Sequence, residues 1–141
     1  LLDRDESGLE AVADELVGAG HEVTTIAVDL LDDEAVAEAI TGFAGRNRLK
    51  ALVNVAGLIS LGLVTDISVQ DWDRVVGVKL RGNFLTCRAA IPILTANGGG
   101  AIVNVSSMSG RTKSVLTAPN YVASNAGGDR ADDEPGQPAR P

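Results

Sequence analysis

Apolar residues in this chain switch repeatedly between two spacings, and the order of those switches restricts the fold more than any other feature. Leu9, Val12, Ala13, Leu16 and Val17 recur at the three-and-four spacing of an amphipathic helix. Gly18 and Gly20 supply its stop. Residues 1–3 read as the end of a strand, and the β-branched stretch 22–28 reads as another. Val36, Ala39, Ile40 and Phe43 mark a second helix, whose start at Asp32 and Asp33 suits the positive end of a helix dipole. A short buried strand is expected at 51–55, running into Ala56 and Gly57. Ser68 and Asp71 form a capping-box-like start for one long helix reaching about residue 96. Glycines at 98–100 break it, an apolar strand follows at 101–105, and a last helix begins near Asn120. Helix and strand alternate with crossover-length connections, which predicts parallel βαβ units in a doubly wound α/β sheet.

A length of 141 residues suits one domain around one core. That core must be aliphatic, because Phe43, Trp72, Phe84 and Tyr121 are the only aromatics. The net charge of −7 argues against nucleic acid or an anionic membrane as partner. No apolar run reaches the 18 residues of a membrane-spanning helix, and the first residues, LLDRDESG, lack the regions of a signal peptide. The single cysteine, Cys87, cannot form an internal disulfide and fits a cytoplasmic location. Its place in a helical pattern makes it a packing residue. With one cysteine and one histidine no metal site is expected, and Asp32, Asp33 and Glu34 read as helix-start charges. Residues 127–141 hold three prolines and no apolar side chain larger than Ala, so they read as a disordered tail behind a domain of residues 1–126.

The strand at 101–105 delivers Ser106 and Ser107, and Tyr121 follows 14 residues after the second serine. A hydroxyl and a phenol at the carboxyl edge of an open α/β sheet stand where such sheets bind ligands, and together they can hold and protonate a carbonyl oxygen. This pattern resembles the active-site segment of the short-chain dehydrogenase/reductase family, which carries a serine and then Tyr-x-x-x-Lys. Asn54-Val55-Ala56-Gly57 resembles that family's Asn-Asn-Ala-Gly, and residues 72–84, WDRVVGVKLRGNF, resemble its long central helix. The likeness covers residues 1–126. It implies an NAD(P)-dependent oxidoreductase that moves hydride between a nicotinamide and a small alcohol or ketone. Tyr121 would be the general acid/base and Ser107 the carbonyl-binding hydroxyl, with Ser106 as its strand neighbour and an alternative one residue away. Asp3 matches the acidic residue that binds the adenosine ribose, which favours NAD over NADP; Arg4 beside it softens the preference. Asp29, with Leu30 after it, matches the adenine contact, and Asn54, Ala56 and Gly57 complete the cofactor side.

Two positions depart from the family's pattern. Position 125, where the lysine belongs, is Asn125, and the relay asparagine of the central helix is replaced by Lys79. An unperturbed phenol has a pKa of about 10, and a cation beside it favours the phenolate. Asn125 is neutral and shorter than lysine. The residue types at 79 and 125 are thus exchanged, which reads either as compensation or as drift, and Lys79 alone also reads as a solvated helix lysine. The resemblance further implies that a first strand with its glycine-rich, pyrophosphate-binding turn, and the last strands, are missing from this sheet. No Gly-x-x-x-Gly-x-Gly occurs within these residues. An incomplete Rossmann-like sheet with bare inner edges is therefore expected, with weakened cofactor binding and impaired or absent catalysis. A second reading is a non-catalytic remnant that only associates with an intact relative. In the family the long helix packs on its symmetry mate, so homo-oligomerisation is expected through helix 68–96.

Overall fold

The structure, a computed structural model, describes residues 1–112 and 117–128. Elements alternate along the chain as β1 (Leu2–Asp3), α1 (Glu6–Gly18), β2 (Ile26–Ala27), α2 (Asp33–Ala44), β3 (Ala51–Asn54), α3 (Val69–Val76), α4 (Gly82–Ala96), β4 (Ala101–Asn104) and α5 (Pro119–Gly128). A π-helical turn, Gly77–Arg81, joins α3 to α4, and a 3₁₀ turn, Met108–Gly110, follows β4.

The four strands form two separate parallel pairs. Leu2 and Asp3 lie opposite Ile26 and Ala27, and residues 51–54 run in register with residues 101–104. The strand expected over 22–28 shrinks to Ile26–Ala27 because its partner is two residues long. Hydrogen bonds from Ile26 N to Leu1 O and from Val28 N to Asp3 O still extend the contact at both ends. No ladder joins residues 22–28 to 51–55, as the incomplete-sheet expectation requires. A cavity of about 1030 Å³ lies between the pairs, walled by Leu2, Val12 and Ile26 on one side and by Leu52 and Val53 on the other.

The core sits on one face of the β3–β4 pair. Val28, Val36, Ile40, Leu49, Leu85, Ala90 and Leu94 form one buried cluster, with Leu52 and Ile102 packed against it. Period-two alternation sends Val53, Val55, Val103 and Val105 to the other face, where all four are exposed. Asp32 caps α2 by accepting a hydrogen bond from Ala35 N at 3.0 Å. The predicted start at Ser68 is also present: its Oγ accepts from Asp71 N at 3.0 Å and donates to the Asp71 carboxylate at 2.6 Å.

Two expectations need correction. The helix predicted as one piece from 68 to 96 is interrupted by the π-helical turn, which inserts a residue into the backbone ladder. Arg81 at the end of that turn forms an ion pair with Asp33 at the start of α2. The tail does not begin at 127, since Gly127 and Gly128 continue α5. A Cβ at Gly127 would lie 2.9 Å from Leu80 Cδ1, so the missing side chain is what lets α5 lie close to the π-helical turn. Residues 129–141, the rest of the expected disordered tail, lie outside the described residues.

Burial sets the energetics of this core. Ile40→Ala should lower the free energy of urea unfolding by about 2–5 kcal/mol, because Ile40 lies in the buried cluster. Val64→Ala, at an exposed position, should stay within about 0.5 kcal/mol of the parent chain. Equal losses at the two positions would contradict the core assignment.

Candidate active site

The carboxyl ends of β3 and β4 lie side by side, and two polar links bind them. Asn54 and Asn104 close the two strands in register, and Asn54 Nδ2 donates to Asn104 Oδ1 at 2.7 Å. From α4, the Thr86 hydroxyl donates to Asn54 Oδ1 at 2.9 Å, which fixes the amide's orientation. Cys87 is buried nearby, with its sulfur 3.7 Å from Asn54 Nδ2, in keeping with a packing role. The second link is Lys79. Its ammonium donates to the carbonyls of Ala56 and Val105, the residues just beyond the two strand ends.

Lys79 is 5 % exposed, so the solvated-lysine reading fails. Its stem runs beneath Gly57, where a Cβ would lie 3.2 Å from Lys79 Cδ. A side chain at 57 would therefore crowd the lysine stem. Burial holds the Lys79 ammonium below the ordinary lysine value of 10.5.

The six expected cofactor residues Asp3, Asp29, Leu30, Asn54, Ala56 and Gly57 all line the cavity between the strand pairs. Asp3 and Asp29 are exposed and hold local turns: Asp3 Oδ1 accepts from Asp5 N at 3.1 Å, and Asp29 Oδ1 from Leu31 N at 2.9 Å. Leu30 packs on Gly82 of α4, where a Cβ would lie 3.1 Å from Leu30 Cδ1. Asn83, on the same helix, also lines the cavity and is buried, and its Nδ2 has no hydrogen-bond partner among the described residues.

The expected catalytic residues gather at a different place, the junction of β4, the 3₁₀ turn and α5. Ser106 Oγ donates to the Asn125 carbonyl at 3.1 Å, which ties the strand end to α5. Ser107 caps the 3₁₀ turn, its Oγ accepting from Ser109 N at 3.2 Å. The two serines thus separate by role, with Ser106 holding the helix and Ser107 half-buried at the turn. A Cβ at Gly110 would lie 2.8 Å from Ala126 N, so the turn rests directly on the α5 backbone. Tyr121, in the first turns of α5, is half-buried. Asn125 is 1 % exposed, and its Nδ2 donates to the Tyr121 carbonyl at 2.8 Å. One of its amide N–H groups is therefore used inside its own helix.

Sequence reasoning missed Asn104, Thr86, Asn83 and Asn120. The signal for Asn104 was present: Ala-Leu-Val-Asn at 51–54 and Ala-Ile-Val-Asn at 101–104 repeat one pattern, and paired strands place the two amides together. Asn120 is fully buried and links helices, its Nδ2 donating to the Asp71 carbonyl at 3.3 Å. In the sequence it marked only the start of the last helix.

The state of Lys79 sets a pH dependence. Unfolded, the amine has its ordinary value of 10.5; folded, its value is lower. Between the two the unfolded chain binds more protons, so stability rises with pH across that window, and below it the buried charge opposes folding at full strength. The urea midpoint of the parent chain should therefore climb relative to that of Lys79→Met as pH approaches 10.5. A constant difference between the two proteins from pH 7 upward would show that the amine is not buried as described.

Among the described residues no helix is long and apolar enough to cross a membrane. The model of the family described as short chain dehydrogenase matches residues 1–131. The D-threitol dehydrogenase of Mycolicibacterium smegmatis is 36% identical over 107 residues, which span 75% of this chain and 41% of the relative. A metagenomic short-chain oxidoreductase solved in complex with NADP superimposes with a TM-score of 0.85 at 35% identity, covering 92% of this chain and 59% of that one. A 3-oxoacyl-[acyl-carrier protein] reductase from Brucella melitensis, solved with bound NAD, gives a TM-score of 0.81 at 31% identity, covering 89% of this chain and 49% of that one. The chain spans about half the length of the relatives it matches. It belongs to the short-chain dehydrogenase family.

Proposed function

We propose that this chain is part of an NAD(P)-dependent oxidoreductase acting on an alcohol or ketone. The observation that carries this reading is the presence of two arrangements at the carboxyl ends of the strands. Six residues with the chemistry of an adenosine pocket share one cavity beside β3, and a serine turn at the end of β4 rests on the helix that bears Tyr121. In this reading the Asp3 carboxylate accepts hydrogen bonds from the adenosine ribose hydroxyls and repels a 2′-phosphate, so NAD is preferred over NADP. Asp29 and Leu30 flank the adenine. The small residues Ala56 and Gly57 let backbone approach the ligand closely. A nicotinamide held there would supply or accept the hydride. Ser107 orients the substrate oxygen, and Tyr121 gives it a proton or takes one. The lone buried cysteine suits a reducing compartment, which supports a cytoplasmic location.

The chain by itself should be a poor catalyst. Asn125 offers no cation to the ligand, and no glycine-rich turn within these residues seats the pyrophosphate. A second reading, that the chain acts by associating with an intact relative, is supported by the unpaired edges beside the cavity. Trp72 and Phe84, exposed on α3 and α4, support oligomerisation through residues 68–96.

Binding titrations and turnover assays test the two readings together. NADH should bind weakly but saturably and more tightly than NADPH, and Asp3→Asn should narrow that difference. Turnover over a panel of secondary alcohols and ketones should stay at background. A clear turnover abolished by Tyr121→Phe would refute the poor-catalyst expectation while upholding the oxidoreductase assignment. If millimolar NADH does not bind at all, that assignment is wrong. A shift to a mixed oligomer with an intact relative in size-exclusion chromatography would then favour the second reading.

A further inference from the structure

We propose that Asn97 and Gly98, at the carboxyl end of α4, form a self-modification site. The side-chain amide of Asn97 is lost through a cyclic imide, leaving aspartate or isoaspartate, and opening of the helix end sets the rate. This inference is independent of the oxidoreductase reading and concerns the other end of the β3–β4 pair.

The step needs only these two residues and water. The backbone nitrogen of Gly98 gives up its proton to hydroxide and attacks Asn97 Cγ. A C–N bond forms, the Cγ–Nδ2 bond breaks and ammonia leaves. Water then opens the imide at either carbonyl, which gives the two acidic products. Attack is least hindered where the following residue has no side chain. Of the seven asparagines only Asn97 precedes a glycine; the others precede Arg48, Val55, Phe84, Val105, Tyr121 and Ala126. The fold itself calls for this dipeptide. Gly98 and Gly99 stop α4 with φ of 91° and 105°, a conformation that other residues rarely adopt. Asn97 is the C-cap, and its Nδ2 donates to the Leu49 carbonyl at 3.0 Å, a bond that needs an amide. A donor at 97 and a glycine at 98 each have a structural cause, and their adjacency makes the reactive pair.

In the folded chain both reacting groups are held away from each other. The Gly98 N–H donates to the Thr95 carbonyl at 3.1 Å, and the Asn97 amide is held on Leu49. A third bond, from the Arg48 guanidinium to the Asn97 carbonyl at 2.8 Å, fixes the peptide between them. Asn97 is half-buried and residues 98–100 are exposed, so fraying of the helix end frees both groups into water. The product cannot return to its place. A carboxylate facing the Leu49 carbonyl sets acceptor against acceptor, and its charge opposes the dipole at the end of α4, an effect that Arg48 offsets only in part. Leu49 leads directly into Lys50, whose carbonyl accepts from Ala101 N at 3.1 Å where β3 and β4 begin to pair. Conversion at 97 therefore loosens, one way, the start of the strand pair whose far end carries the candidate site.

The test follows the full chain at mildly alkaline pH, folded and in guanidinium chloride. Trypsin releases residues 89–111, and mass spectrometry reads the amide-to-acid exchange. Fragment masses separate Asn97 from Asn104, and a methyltransferase specific for isoaspartate labels that product. Conversion should be confined to Asn97 and should run about tenfold or more faster in the denatured chain, because reaction through an open state tracks the open population. Arg48→Met removes one of the three bonds at the helix end; it should speed the folded-state reaction about threefold or more and leave the denatured rate unchanged. Should that variant fail to fold, the folded and denatured parent chains still decide the matter. Asn97→Asp, which mimics one product, should lower the urea midpoint, and the aged parent chain should fall with it. Equal rates in the folded and denatured chain, or conversion at Asn104 that matches Asn97, would overturn the inference. A parent-like midpoint for Asn97→Asp would overturn its consequence for the strand pair.

Discussion

The in-register parallel pairing of residues 51–54 with 101–104 is the constraint on which the rest of the site depends. It brings together two strands that are 46 residues apart between the end of one and the start of the next, and it places their closing asparagines side by side. Because Asn54 and Asn104 bond to each other and Thr86 orients the pair, a one-residue slip would break three polar groups at once. The loop carrying Ala56 and Gly57 and the turn carrying Ser106 and Ser107 leave from this fixed pair, so their relative position follows from it. Lys79 then repeats the cross-link one step further out, with a charge in place of an amide.

Polar groups have displaced apolar ones throughout this edge. Asn54, Lys79, Asn83, Thr86, Asn120, Ser124 and Asn125 are all buried, whereas four valines on the far face of the same strands are exposed. Such an inversion is costly unless most of the polar atoms are satisfied. Most are, through contacts between separate elements: Thr86 to Asn54, Asn120 to the Asp71 carbonyl, Ser106 to the Asn125 carbonyl. These directional bonds fix which elements meet at which height, a task that aliphatic packing alone performs loosely.

The order of elements was legible because each carries its own local signal. Three-and-four spacing marked α1 and α2, a serine cap marked the start of α3, and glycines marked the breaks, of which Gly20, Gly98 and Gly99 adopt positive φ. Strand length was not legible, because a ladder extends only as far as its partner does. Nor was the π-helical turn, since residues 77–81 keep an ordinary helical composition and the change lies in backbone pairing. At the site, residue identity pointed to Ser107, Tyr121 and six residues that the fold places along one cavity as candidates. It could not reveal that Asn125 folds back on its own helix, that Lys79 is buried, or that Ser106 and Ser107 bond to different elements. Those outcomes follow from contacts between segments far apart in the chain.

The division of the sheet into two pairs bears on how the molecule comes apart. α1 packs chiefly on β1 and β2, and its buried Leu9 stands outside the main cluster. Backbone amides at 26 and 28 are held only by bonds to the first three residues. The segment 1–27 is therefore expected to open as a unit before the rest of the chain. Its amides should exchange with deuterium while those of β3, β4 and α4 remain protected, and unfolding followed on the two halves should not coincide. What the cavity separates in space it also separates in thermodynamic linkage, so a ligand bridging both walls would restore a single transition to the whole chain.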